Sequence, residues 1–237
     1  EIDRMKIRFA LLLLIILLPL LFVTKTSSAS NVAGHKIVID AGHGGSDPGS
    51  EECAGYTEAD ANFEVAKRLA KELGDNGAIV YMTRDQNIDG VDDLLDGGDY
   101  DAADRYNYAN STDAEILVSV HFNGSTNHEI NYTQGLYAKW KKDINLASTI
   151  HEQLVPKLNI GDGDLLQFAA GVILKAEMPA TIQEVAFISN TAECQLLTDG
   201  VADETYARQQ QIAMALYDGI NEWFAGSVTP AKPGKAK

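Results

Sequence analysis

Apolar residues recur along the chain with two alternating periods. Residues 36–40 form a short β-branched run that ends in a glycine-rich turn, as expected of a strand delivering a loop at its carboxyl edge. Ala61, Phe63, Val65, Ala66, Leu69, Ala70 and Leu73 then fall at helical spacing, with Thr57 placed to cap the helix and Gly74 to stop it. Residues 78–83 read as the next strand, which completes a βαβ unit. Residues 115–120 predict a third strand, aliphatic except for Ser119, and 135–140 a fourth. A helix follows over 144–158, with Ile144, Ala147, Ile150 and Leu154 on one face. Residues 171–175 and 180–187 predict the last two strands, and 203–224 a long closing helix. Strand and helix alternate throughout. The expected fold is therefore α/β, a single domain with a twisted, mostly parallel sheet of about six strands flanked by helices.

The two ends break this pattern. Met5, Lys6 and Arg8 give a basic start, residues 9–23 are almost wholly aliphatic, and residues 24–30 offer small residues suited to cleavage. Residues 1–30 are thus expected to be a signal peptide, with residues 1–4 lying upstream of the start methionine. The apolar run is shorter than the roughly 20 residues that span a bilayer, so no stable membrane span is expected after its removal. Localisation is then export, to a periplasm or an extracellular envelope. Residues 226–237 form a basic, Pro/Gly/Ala-rich tail expected to be disordered, and residues 31–225 form the folded domain.

Charge narrows the partners. The 237 residues carry 34 acidic and 19 basic side chains, a net charge of −15, which approaches −17 once the leader is gone. Such a chain gains nothing from counterion release, so nucleic acid is excluded as a partner. Seven aspartates crowd residues 89–104, but without the twelve-residue calcium pattern and its terminal Glu, and they read as a solvated acidic loop. Cys53 and Cys194 make no disulfide framework and are read as unpaired thiols, with a bridge between them the alternative in an oxidising compartment.

The candidate chemistry lies at strand ends. His43 and His121 each stand at the carboxyl end of a predicted buried strand, Glu58 opens the first helix, and Glu184 interrupts an apolar strand. Two imidazoles, one ligating carboxylate and a spare carboxylate match the parts of a zinc hydrolase. A carboxylate between Ile182 and Val185 is costly unless it faces a cleft or a charge partner. Asp40 and Asn123 are candidates either to orient the histidines or to close turns. Arg105 is a candidate to bind a substrate carboxylate or to pair with the acidic loop. His35, His128 and His151 are read as surface residues.

Taken in order, Gly42-His-Gly-Gly-Ser-Asp-Pro-Gly49, the Glu58 to Asn62 helix start, Thr83-Arg84, Arg105 with Asn110, His121-Phe-Asn123 and Glu184 to Asn190 form a collinear set. It resembles the zinc-dependent N-acetylmuramoyl-L-alanine amidases of the amidase-3 type, over about residues 35–225. The resemblance implies Zn2+ as cofactor, held by His43, Glu58 and His121, with Glu184 as the catalytic carboxylate. It implies peptidoglycan as substrate, cut at the amide between the N-acetylmuramic acid lactyl group and L-alanine. Ala41 and Ala186 stand where that family often has Pro and Gly, and the acidic stretch before Arg105 is longer than usual. No room is visible after Asn123 for the inhibitory helix of some relatives, so no protein activator is expected. Two alternatives remain: a catalytically silent peptidoglycan-binding protein, and a thiol amidase using Cys53. No Gly-x-Ser-x-Gly elbow supports a serine hydrolase.

Overall fold

The computed structural model describes residues 30–84, 102–202 and 205–226. The expected leader up to residue 29, most of the acidic loop and the tail from residue 227 lie outside the described residues. Six strands, β1 (Lys36–Ala41), β2 (Ile79–Met82), β3 (Ile116–Asn123), β4 (Tyr132–Tyr137), β5 (Gly161–Gln167) and β6 (Ala180–Phe187), form one sheet in the order β2-β1-β3-β6-β4-β5. β2, β1, β3 and β6 are mutually parallel; β4 runs antiparallel to β6 and pairs in parallel with β5. The helices are α1 (Glu58–Asp75), α2 (Ala102–Ser111), α3 (Trp140–Leu158), α4 (Gly171–Lys175), α5 (Thr191–Ala202) and α6 (Ala207–Phe224).

The two faces of the sheet carry different loads. One buries Ile37, Ile39, Val118, Val120 and Val185 against Leu69 of α1, Ile150 of α3 and Ile212 and Leu216 of α6. The other buries Val38, Leu117, Ala180 and Ile182 against Ala109 of α2 and Val172 and Ile173 of α4. Side chains alternate along a strand, so Asp40, Ser119, His121 and Glu184 share this second face with Val38, Leu117 and Ile182. That face is apolar toward the amino ends of its strands and polar at their carboxyl ends. The polarity change marks the place where a parallel sheet presents ligand-binding loops.

Local chemistry explains the main elements. Thr57 forms a capping box at α1, its hydroxyl accepting from the Asp60 amide while the Asp60 carboxylate accepts from the Thr57 amide. Asn190 caps α5 by accepting from the amides of Ala192 and Glu193. Several expectations need correction. Residues 171–175 are one short helix rather than a strand, because their buried Val172 and Ile173 dock as a helical turn under the small face. The missing sixth strand is β5, whose Gly-Asp-Gly-Asp start reads as a turn but pairs along the edge with β4. The closing helix is α6 alone and begins at Ala207, after Tyr206, whose φ of 47° is left-handed; α5, which precedes it, was not expected. His151 is not a surface residue either: it is buried, with Nε2 2.8 Å from Asp162 of β5.

Cys53 and Cys194 are bonded, contrary to the unpaired reading. The bridge joins the loop between β1 and α1 to the first turn of α5, across 141 residues of sequence. Closing so long a loop restricts the unfolded chain, and native bridges of this kind contribute about 2–4 kcal/mol. The double variant Cys53→Ser/Cys194→Ser is expected to lose that amount in equilibrium urea unfolding and to become insensitive to reductant. A loss below about 0.5 kcal/mol would show that the bridge does not constrain the chain.

Candidate metal centre and catalytic site

Four side chains that the sequence leaves far apart meet at the carboxyl edge of β1, β3 and β6. His43 follows β1, Glu58 is the first residue of α1, and His121 lies near the end of β3. Glu184 of β6 is the direct register partner of His121, so sheet pairing alone sets the two side by side. His43, Glu58 and His121 each offer one donor atom, all within 4.8 Å of one another. The two imidazole rings stand 4.9 Å apart at 76°.

Glu58 is the hub. Its Oε1 lies 3.1 Å from His43 Nε2 and 3.1 Å from His121 Nδ1, and also accepts from the Phe122 amide. Its Oε2 accepts from the Ser50 amide. Burial alone would raise the Glu58 pKa, but the hydrogen bonds and charges of His121 and His43 outweigh it and hold the carboxyl well below its usual range. Burial would likewise lower the His43 pKa, yet hydrogen bonding and charge from Glu58 and Asp47 raise it to about 9. His43 Nδ1 lies 2.8 Å from Asp47 Oδ2, a carboxylate–imidazole contact that leaves Nε2 facing Glu58.

Close backbone approach makes the cluster possible. A Cβ on Gly42 would sit 2.2 Å from the His121 ring, and one on Gly49 would sit 2.7 Å from both Glu58 and the His43 ring. Only glycine fits at either position.

The donor set fits a divalent cation. Two nitrogens and one oxygen converge from a buried carboxylate and two partly exposed imidazoles, the composition of a three-ligand zinc site that keeps an open position. Glu184 fits a different task. Its Oε2 is buried and has no hydrogen-bond partner, an orphan expensive to keep unless something binds there. Burial pushes its pKa up, with the nearby Glu58 charge adding to the rise and the two histidines opposing it. A carboxyl raised in this way holds a proton more readily than an exposed glutamate does.

The other expected site residues serve the scaffold. Asn123 closes a turn, its Oδ1 accepting from the Gly124 amide. Asp40 is fully buried and touches neither histidine; it accepts from Thr83, Ser119 and Arg105. Arg105 is also buried, directed at Asp40 and at the carbonyls of Ala41 and His43 rather than at the cleft. The sequence reading missed Asp47, though the motif contains it, and Ser50, which supports Glu58 through its backbone. It also missed Gln134, which β4 places opposite Glu184. Cys53, bonded to Cys194, supplies no free thiol, so the thiol-amidase alternative fails.

Residues 37–222 match the family model described as N-acetylmuramoyl-L-alanine amidase. The chain is 28% identical over 197 residues to the N-acetylmuramoyl-L-alanine amidase LytC of Bacillus subtilis, covering 81% of this chain but only 36% of that relative's length. It is 28% identical to the germination-specific N-acetylmuramoyl-L-alanine amidase of Bacillus subtilis, covering 84% of each. Among solved structures, the CwlD amidase of Clostridioides difficile, determined in complex with the GerS lipoprotein, superposes with a TM-score of 0.69. That match has 26% identity and covers 81% of this chain and 100% of the other.

The Asp40 cluster makes a pH prediction. Burial would raise the Asp40 pKa, but the Arg105 charge and hydrogen bonds from Ser119, Thr83 and Arg105 lower it to about 2. A depressed folded-state pKa contributes stability that is present above the unfolded value, near 3.9, and is lost as pH falls through the folded one. The lost contribution is about 2–3 kcal/mol. Urea unfolding at pH 5 and pH 2 is expected to show a smaller fall in stability, by about 2 kcal/mol, for Asp40→Asn than for wild type. Equal falls would show that Asp40 is not held ionised by its neighbours.

Proposed function

The chain belongs to the N-acetylmuramoyl-L-alanine amidase family, and on that premise we propose that it is an exported zinc hydrolase of peptidoglycan. The bond cut is the amide joining the lactyl group of N-acetylmuramic acid to L-alanine of the stem peptide. One observation carries the reading: three convergent donors, His43, Glu58 and His121, stand beside a carboxylate whose buried oxygen has no partner.

His43, Glu58 and His121 would hold the Zn2+. The chemistry that zinc supplies when bound is Lewis acidity toward water and toward the scissile carbonyl. Glu184 accepts the proton of the attacking water at Oε2 and returns it to the nitrogen of L-alanine as the C–N bond breaks. The products are a lactyl carboxylate and a free α-amino group. Asp47 accepts from His43 Nδ1, fixing the tautomer that presents Nε2. The capping box at Thr57 and the Ser50 amide fix Glu58 at the helix start, so its carboxylate needs little reorganisation.

Export is supported by the leader pattern of residues 5–30 and by the Cys53–Cys194 bridge, which belongs to an oxidising compartment. No helix among the described residues is long and apolar enough to cross a membrane. The β3–β4 connection, residues 124–131, contains no helix, which supports an enzyme that works without a partner displacing one.

Purified protein alone is expected to release stem peptides from sacculi, with mass spectrometry showing free L-alanine amino termini. Chelator should stop the release and zinc restore it. Glu184→Gln should retain the metal and lose about a thousandfold in rate, within the 10²–10⁴ that a general acid–base contribution is worth. Unchanged turnover in that variant would exclude Glu184 from proton transfer. Intact binding with no turnover by wild type would favour the silent peptidoglycan-binding alternative, and turnover only after a partner is added would contradict the activator-free reading.

A further inference from the structure

The turn that carries His43 runs against backbone preference. His43 has φ of 60°, a left-handed conformation that is unfavourable for a side-chain-bearing residue. Its own strand has ended, so the carbonyls of Ala41, Gly42 and His43 need other donors. Side chains provide them. Arg105 gives Nη1 to Ala41 at 2.7 Å and Nη2 to His43 at 2.6 Å. Arg84 gives Nε to Ala41 and Nη2 to Gly42 and to Ala59. Asn62 of α1 adds a bond to Gly42 at 3.0 Å.

Arg105 is held by a fixed base. Its Nη1 lies 2.7 Å from Asp40 Oδ1, and Thr83 and Ser119 donate to the same carboxylate. Both members of the pair are buried, 5% exposed for Arg105 and 0% for Asp40. Buried ion pairs return little net stability for their desolvation, whereas a planar guanidinium fork fixes direction well. The fork here runs from Asp40 inside the sheet layer to the carbonyl of the residue whose ring faces Glu58.

We propose that Arg105, anchored by Asp40, is a positioning residue that holds His43 in its left-handed conformation and thereby sets the affinity of the His43–Glu58–His121 site for a divalent cation. The inference rests on the metal reading of that site. Arg105 touches neither the donors' ring atoms nor Glu184; it acts through the main chain of His43. A lysine at position 105 has one donor centre in place of a planar fork, and cannot reproduce the Asp40, Ala41 and His43 bonds together.

The test is the Zn2+ dissociation constant of the folded protein, measured by competition with a chromophoric chelator, for wild type, Arg105→Lys and Arg105→Gln. Ile150→Val, in the core between α3 and the sheet, serves as a control for general destabilisation. Partners that support a metal ligand from outside its coordination sphere typically cost 10–100-fold in affinity when lost. Arg105→Gln is expected to fall in that range and Arg105→Lys to weaken binding about fivefold, with Ile150→Val within twofold of wild type. Activity of the Arg105 variants should be poor at limiting zinc and recover at saturating zinc, a split that mere destabilisation would not produce. Arg105→Lys suffices if the glutamine variant fails to fold. Zinc affinity within twofold of wild type in Arg105→Lys, with a folded protein, would overturn the proposal and leave the metal reading intact. Wild type that binds no zinc would overturn both.

Discussion

A carboxylate buried at the start of a helix has to be matched by polar partners, and Glu58 is matched by two imidazoles that arrive from separate segments of the chain. Most of the architecture near the carboxyl edge serves that one convergence. α1 brings Glu58 through a capping box, β3 brings His121 at the right level of the sheet, and the turn after β1 brings His43. The glycines at 42 and 49 remove the bulk that would keep the three apart. With hydrogen-bonded histidines the cluster is self-consistent, and the same atoms are the ligands that a zinc ion takes from a protein.

Sheet pairing then adds the fourth group at no extra structural demand. Because β6 lies next to β3 in parallel register, a residue paired with His121 points to the same face at the same height. The chain places Glu184 there, above Ile182 and beside β4, with its Oε2 unpartnered. Apolar residues below and polar ones above on a single face are thus the feature that turns a packed α/β layer into a site. The opposite face, continuous from Ile37 to Leu216, stays a core. The Cys53–Cys194 bridge links the loop between His43 and Glu58 to the helix following Glu184, so the two halves of the site are also joined covalently.

Much of this was legible in the residues. The βαβ start and the buried strands expected at 115–120 and 180–187 follow from periodicity, and motif order singles out His43, Glu58, His121 and Glu184. What escaped was decided by tertiary context. Val172-Ile-Leu174 has the β-branched composition of a strand, and a run that short cannot be told from a helical turn by pattern. Gly161-Asp-Gly-Asp164 has the composition of a turn, yet β4 offers it a ladder at the sheet edge. His151 looked like a surface residue because nothing near it in sequence revealed Asp162 as its partner. Asp40 could have oriented the histidines or closed a turn, and Arg105 could have met a substrate carboxylate or the acidic loop; sequence alone does not show which way a guanidinium turns. It turns inward, onto the backbone that carries His43.

The central claim is that His43, Glu58 and His121 hold one divalent cation together. Crystals of the protein grown with zinc and measured at the zinc absorption edge test it most directly. The account predicts a single strong anomalous peak about 2.0–2.2 Å from His43 Nε2, His121 Nδ1 and a Glu58 oxygen. A peak elsewhere, or a bound ion with Glu58 turned away from it, would contradict the account.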